Sequence, residues 1–304
     1  MAGRVSSPAG WALCSFHQNA FPEVIVTPIP YRLALALSAA LLLASISSMA
    51  GAEARSAPAH PGSDLASGDG LRAQGIHGGC SATPPPGTDA YFAGIDVSHW
   101  NGTIDWSAVQ TAGVSFVMAK ATQGLGFNDP MYATNKAGAE AAGLRFTAYE
   151  YMDPSGGRLV ALKDASHFVK VAALGDRNLI PVLDVERTNG FSPKRLQTWM
   201  KAWLHRVYAL LGVRATIYVS PSFFTSALSD TTWFAQNGYR LWIANWGVAS
   251  PTVPANDWNS EGWTFWQWTD CGKVDGISGN VDLDFYAGKH FRPVRIKAAK
   301  AAGG

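Results

Sequence analysis

Residues 180–190 read IPVLDVERTNG. An apolar run, Ile180-Pro181-Val182-Leu183, ends on two acids one residue apart, Asp184 and Glu186. In an extended strand residues i and i+2 share a face, so Val182, Asp184 and Glu186 point one way and Leu183 and Val185 the other. A nearly continuous apolar run suits a strand buried on both faces of a parallel sheet. An ordinary strand end paired with Arg187 is the competing reading. Continued alternation sends Arg187 to the opposite face from Glu186 and weakens it.

Runs of the same kind flank this one: YFAGIDVS (91–98), VSFVMAKAT (114–122), LRFTAYEYM (144–152), RATIYVS (214–220), RLWIANW (240–246), WTFWQWT (263–269) and NVDLDFY (280–286). Helical patterns fit between the early ones. Asp105 can cap WSAVQTA, and Asp129 with Pro130 can open the next helix, closed by Gly143. GRLVALKDASHFVKVAALG is long and amphipathic. Ser192-Pro193 starts a helix that runs to Gly212. After residue 240 the gaps read as loops. The expected fold is α/β: an irregular (β/α) barrel of about eight strands, with helices mainly between the early strands. An open doubly wound sheet is the alternative. GIDVSHWNG after the first strand lacks a glycine-rich phosphate loop, which argues against nucleotide binding.

In a barrel, strand C-termini form the rim where active sites are built. Asp184 and Glu186 end one strand, Asp96 ends the first, and Asp282 and Asp284 lie in the last. First and last strands are neighbours in a closed barrel, so Asp96 and Asp282 can converge on the central pair. Two adjacent carboxyls cannot both ionise cheaply, and the one that stays protonated is what a general acid needs. Aromatic residues surround these positions: Trp100, Tyr149, Tyr151, Tyr218, Trp242, Trp246, Trp266 and Trp268. Sugar rings pack on flat aromatic faces, so part of this set is expected to line a cleft and part to fill the core.

The chain has 304 residues, 47% of them hydrophobic and 15% charged, with a formal charge of +2. That charge gives no case for nucleic-acid binding. Arg32 precedes an apolar run that ends in small residues around Ala50 and Ala54, the pattern of a secretory signal. Residues 1–54 therefore read as a signal peptide with an over-long leader, and the expected location is secreted or periplasmic, with no stable membrane insertion once the signal is cleaved. Residues 55–90, rich in Ala, Pro, Gly and Ser, read as a linker. Residues 91–290 read as the folded domain and 291–304 as a solvated basic tail. Cys14 falls in the leader. Cys80 and Cys271 remain and suit one disulfide in an oxidising compartment.

The phrases GIDVSHWNGTIDW, VMAKATQG, IPVLDVE, LWIANW and WTFWQWT…GISGNVDLDFY, in this order, resemble glycoside hydrolase family 25, the Chalaropsis-type lysozymes. The resemblance covers roughly residues 91–290. It implies an irregular barrel enzyme that hydrolyses the β-1,4 bond between N-acetylmuramic acid and N-acetylglucosamine in peptidoglycan. By motif, Glu186 matches the general acid, Asp184 the partner that holds the substrate's 2-acetamido group, and Asp96 and Asp282 the supporting acids. Asp284 matches a more variable position. Trp100, Tyr149, Tyr151, Tyr218, Trp246 and Trp266 are the expected substrate contacts. The sequence departs from the family at Gln123, where Glu is usual, and at Glu150, where His is usual. A cleft-facing Glu150 would raise the proton affinity of Glu186.

No cofactor is expected. The histidines (His99, His167, His205, His290) lack the compact spacing of a metal site. His99, beside Asp96 and Trp100, is a candidate subsite residue. A monomer that acts on glycan strands is the expected state. The alternative is a non-catalytic wall-binding relative, against which the intact acids argue. A chitinase-like motif, with more aspartates before the glutamate, is absent because residues 181–183 are Pro-Val-Leu.

Overall fold

The computed structural model describes residues 83–297. The signal peptide, most of the linker, Cys14 and Cys80 lie outside the described residues. Nine strands form one sheet: β1 (Phe92–Val97), β2 (Phe116–Gln123), β3 (Phe127–Asn128), β4 (Arg145–Tyr151), β5 (Val182–Asp184), β6 (Thr216–Val219), β7 (Arg240–Ala244), β8 (Phe265–Gly272) and β9 (Val281–Tyr286). The helices are α1 (Trp106–Thr111), α2 (Tyr132–Ala141), α3 (Arg158–Ala172), α4 (Pro193–Leu211), α5 (Pro221–Ala227), α6 (Trp233–Gln236) and α7 (Pro254–Ser260).

Strands β1, β2, β4, β5, β6, β7 and β8 pair in parallel, and β9 closes the barrel by pairing antiparallel with both β8 and β1. The short β3 folds back on the end of β2. This is the α/β barrel expected from the alternating runs, with one difference in direction. Asp282 begins its strand instead of ending it. Because β9 runs antiparallel, its start lies at the rim where β1 ends, and Asp282 stands directly opposite Asp96.

Alternation sorts each strand into two faces. Ile95, Val97, Val117, Ala119, Leu183, Ile217, Ile243, Trp266 and Phe285 face out and meet the helices in the larger core. That core includes Trp199 and Trp203 of α4 and Trp258 of α7, all buried. Burial of a large apolar side chain contributes on the order of 1.5–3 kcal/mol. Phe116, Met118, Tyr149, Val182, Tyr218, Trp242, Phe265 and Tyr286 face in and fill the barrel. Gly94 is required here, since a Cβ at that position would fall inside the Phe116 ring.

Residues 291–297 depart from the expected solvated tail. Ile180 N–H donates to Val294 C=O at 2.8 Å and Ile296 N–H to Asn178 C=O at 2.9 Å. Val294 and Ile296 are buried with the inward-facing residues. Two apolar side chains in a basic segment are enough to plug the end of the barrel away from the acids.

Helix starts follow the sequence in part. Asp105 caps α1, accepting from Ser107 and Ala108 N–H. Asp129 lies just ahead of α2, whose N-cap is Met131: its Oδ1 accepts from Met131 N–H at 2.9 Å and its Oδ2 meets His99. Pro193 opens α4 and Gly212, at φ 68°, ends it. The segment after β7 is not a plain loop. Ala255–Asn259 take φ of 48–58°, a left-handed turn without glycine. Such a turn costs roughly 1–2 kcal/mol per residue. Trp258 offsets this by burying its ring and donating from Nε1 to Tyr239 C=O at 2.7 Å.

Candidate active site

Strand β5 is short, and Glu186 lies two residues beyond it. The chain stays close enough to extended for the two carboxyls to lie side by side, and the Glu186 carboxyl acts directly on that of Asp184. Asp184 is buried and Glu186 half-buried, at the open end of the barrel. Asp184 C=O accepts from Met152 N–H, and Val185 N–H donates to Tyr218 C=O, both at 2.9 Å, so the neighbouring strands hold the pair. Burial pushes the Asp184 carboxyl well above the usual range. The Glu186 charge adds to this, and the Lys120 ammonium opposes it. Arg187 is turned toward Tyr151. Its Nε donates to the Tyr151 hydroxyl at 3.0 Å, and its guanidinium lies 5.1 Å from that ring.

The opposite wall is built by β1, β9 and β8. Asp96, Asp282 and Asp284 are all buried and face in. Asp96 Oδ2 accepts from Gln267 Nε2 at 2.7 Å, and Asp284 Oδ1 accepts from Trp242 Nε1 at 2.8 Å. Burial raises Asp96 to about 7, and hydrogen bonds from Gln267, Asp282 and Asp284 hold it from going higher. Asp282 and Asp284 are pushed well above the usual range by burial first and by the Asp96 charge second. The hydrogen bonds at Asp96 favour its charged form, whereas burial and the Asp96 charge push Asp282 and Asp284 toward the protonated form.

The aromatic candidates separate by position. Trp100 is exposed at the rim and packs at a tilt against His99, with centroids 4.5 Å apart. His99 Nδ1 is 2.7 Å from Asp129 Oδ2. Trp246 is half-buried and donates from Nε1 to Gln267 Oε1 at 3.0 Å. Tyr149, Tyr151 and Tyr218 are buried inside the barrel, Tyr151 and Tyr218 level with Asp184 and Tyr149 level with Val182, and Tyr218 donates to Gln267 Oε1 at 2.9 Å. Trp266 faces the other way, into the outer core, where Nε1 donates to Asn245 C=O. The structure thus brings together Asp96, Asp184, Glu186, Asp282, Tyr149, Tyr151 and Tyr218, places Trp100 and Trp246 at the rim, and leaves Trp266 outside.

Three residues join the site that the sequence reading did not place there. Asp284 follows Asp282 by two, so the same alternation turns it inward. Gln267 is the one amide in the aromatic run WTFWQW and faces in with Phe265. Lys120 is buried in the middle of β2, 4.5 Å from the Tyr151 ring centroid, and donates to Gln123 Oε1 at 2.8 Å. Among the described residues no group of His, Cys, Asp and Glu side chains is arranged to hold a metal ion.

This geometry is two carboxyl walls under an aromatic rim, and the comparisons with known proteins say which chemistry it belongs to. The sequence profile of glycosyl hydrolases family 25 matches residues 95–277. The chain belongs to glycosyl hydrolases family 25. It is a glycoside hydrolase of the lysozyme type. It is 32% identical over 279 residues to lysozyme M1 of Streptomyces globisporus, covering 86% of this chain and 93% of that protein. It is 27% identical over 203 residues to the N,O-diacetylmuramidase of Chalaropsis sp, covering 62% of this chain and 95% of that protein. The crystal structure of the bacterial lysozyme from Streptomyces coelicolor superposes with a TM-score of 0.61 at 33% identity, over 65% of this chain and 92% of that one. The profile match contains Asp96, Asp184 and Glu186 and stops before Asp282.

Glu150, the family departure expected to matter if it faced the cleft, faces outward. It accepts from the Thr122 hydroxyl and from Gly124 N–H, and it lies against Asp164 of α3. Asp164 Oδ1 in turn accepts from Trp203 Nε1 at 3.3 Å. Burial pushes Glu150 well above its usual range, and burial raises Asp164 to about 6. Both acids bind protons more tightly folded than unfolded. Their contribution to stability is complete below the unfolded Asp value of 3.8 and is lost as pH rises through the folded values, about 6 for Asp164. Glu150→Gln removes one charge and keeps an oxygen for Gly124 N–H. Thermal unfolding is expected to show Tm raised by roughly 3–6 °C at alkaline pH and unchanged in acid. The pH profile of activity should stay in place. An unchanged alkaline Tm, or a shifted activity profile, would contradict the outward pairing.

Proposed function

We propose that this chain is a secreted muramidase that cleaves the β-1,4 bond between N-acetylmuramic acid and N-acetylglucosamine, with Glu186 as general acid and Asp184 as the residue that holds the 2-acetamido group. The contact between Asp184 and Glu186 carries this reading. Carboxyls that flank a scissile bond stand about 5–5.5 Å apart in retaining enzymes and about 6.5–9.5 Å apart in inverting ones. Two carboxyls side by side at one strand end stand on one side of the bond rather than flanking it, which suits neither arrangement. Such a pair instead shares one proton. The substrate's amide N–H, donated to Asp184, favours the charged form of that carboxyl and leaves the shared proton on Glu186.

The reaction then runs as follows. Glu186 gives its proton to the glycosidic oxygen as the C1–O bond breaks. The acetamido carbonyl oxygen attacks C1, while Asp184 accepts from the amide N–H and stabilises its growing positive charge. Water adds to C1, gives its proton to the Glu186 carboxylate and opens the ring, so configuration at C1 is retained. The Asp96 charge, with Asp282 and Asp284 neutral, lends negative potential to the cationic transition state. Trp100 and Trp246 offer flat faces to sugar rings at the rim.

All these side chains come from one chain, so a monomer suffices. Export rests on the 32–54 pattern and on Cys271, which is disulfide-bonded. Cys80 is its proposed partner. Residues 91–290 are the proposed catalytic domain, with 291–297 as its barrel plug. The test is digestion of purified peptidoglycan and identification of the new reducing-end sugar, which should be muramic acid.

A further inference from the structure

Gln267 is fully buried at the centre of β8 and uses both ends of its amide. Oε1 accepts from Trp246 Nε1 at 3.0 Å and from the Tyr218 hydroxyl at 2.9 Å. Nε2 donates to Asp96 Oδ2 at 2.7 Å. An indole N–H can only donate, so the amide cannot be flipped, and its NH2 must point at Asp96. One oxygen of Asp96 is therefore held as an acceptor. The chain of bonds runs without a break from a half-buried rim indole to a buried carboxyl.

We propose that Gln267 is a positioning residue that ties a sugar-binding indole, Trp246, to the charge carried by Asp96. This rests on the muramidase reading, since the ligand is a pyranose ring of its glycan. Hydrogen bonds in series polarise one another, so a sugar that packs on the indole and redirects its N–H alters the donor that Gln267 presents to Asp96. Asp96 faces Asp282 and Asp284 of β9, Gln267 of β8, and the hydroxyls of Tyr149 on β4 and Tyr218 on β6. Its partner on β2 is the apolar Met118. Across the barrel its charge acts on Asp184. Contact at the rim is in this way felt at the acid pair.

The test reads the carboxyl directly. Protein labelled with 13C at Asp carboxyls is titrated by NMR, with and without the N-acetylglucosamine–N-acetylmuramic acid disaccharide. Gln267→Glu keeps oxygens for Trp246 and Tyr218 but replaces the donor to Asp96 with an acid. The Asp96 midpoint should rise by about one unit or more, and the acid limb of kcat should move with it while KM changes little. Trp246→Phe keeps the ring and removes the N–H. Its Asp96 midpoint should rise by less, and the displacement caused by the disaccharide should vanish although the sugar still binds. Trp246 is half-buried, so this variant decides the matter if Gln267→Glu does not fold. An Asp96 titration unmoved in Trp246→Phe, or equally displaced by the disaccharide in wild type and variant, would overturn the proposal. The titration needs no turnover. Failure of wild type to cut peptidoglycan would therefore count against the muramidase reading and not against the Gln267 link.

Discussion

Glu186→Gln is expected to end the clearing of a peptidoglycan suspension, with kcat lowered by about 10²–10⁴-fold. The amide fills the same space and can still meet Asp184, but it has no proton of suitable acidity for the glycosidic oxygen. Glu186 is half-buried at the barrel mouth, so the change leaves no cavity and little strain. Sedimentation with insoluble peptidoglycan should show binding retained, because the rim aromatics are untouched. The same pair of measurements separates an enzyme from a wall-binding relative. Clearing by Glu186→Gln at the wild-type rate would remove Glu186 from the acid's role.

Asp184→Asn is expected to lower kcat by about 10²–10³-fold, as loss of a preorganised electrostatic partner does elsewhere, with KM nearly unchanged. Asn cannot draw the amide proton as a carboxylate does, and it offers no charge to the developing cation. Stability should move the other way. Asp184 is buried, burial is the main cause that raises its carboxyl, and the Glu186 charge comes second. An amide avoids both costs, so Tm should rise at neutral and alkaline pH, where the raised carboxyl is costly, and stay level in acid. A fall in kcat together with a rise in Tm is the signature of a site that spends stability on function. A variant that loses activity only because it unfolds would show the opposite Tm.

Much of the barrel was legible because its strands obey a period of two. The same runs that alternate in the sequence pair in the sheet, and alternation alone puts Asp96, Asp184, Asp282 and Asp284 inward. Strand direction was not legible. Nothing in NVDLDFY distinguishes a parallel strand from the antiparallel β9, and Asp282 meets Asp96 from a strand start. The tail was misread because net basic character hides Val294 and Ile296, whose burial depends on an open barrel end many residues away. Trp246 and Trp266 look alike in sequence. One stands at the rim and the other in the outer core, since a tryptophan serves a sugar face and a helix face equally well. Gln267 was overlooked because an amide in an aromatic run carries no charge to notice, yet it holds three partners at once. Glu150 drew notice through its charge and proved to face away, paired with an acid on a helix whose position no local pattern reveals.

The most direct measurement is mass spectrometry of borohydride-reduced muropeptides after digestion of purified peptidoglycan by the wild-type protein. Reduced muramic acid at every new end is the expected result, since Glu186 should protonate the oxygen that links muramic acid C1 to the next glucosamine. New ends carried by reduced N-acetylglucosamine would contradict the bond assignment, and intact glycan strands would contradict the catalytic reading of the Asp184–Glu186 pair.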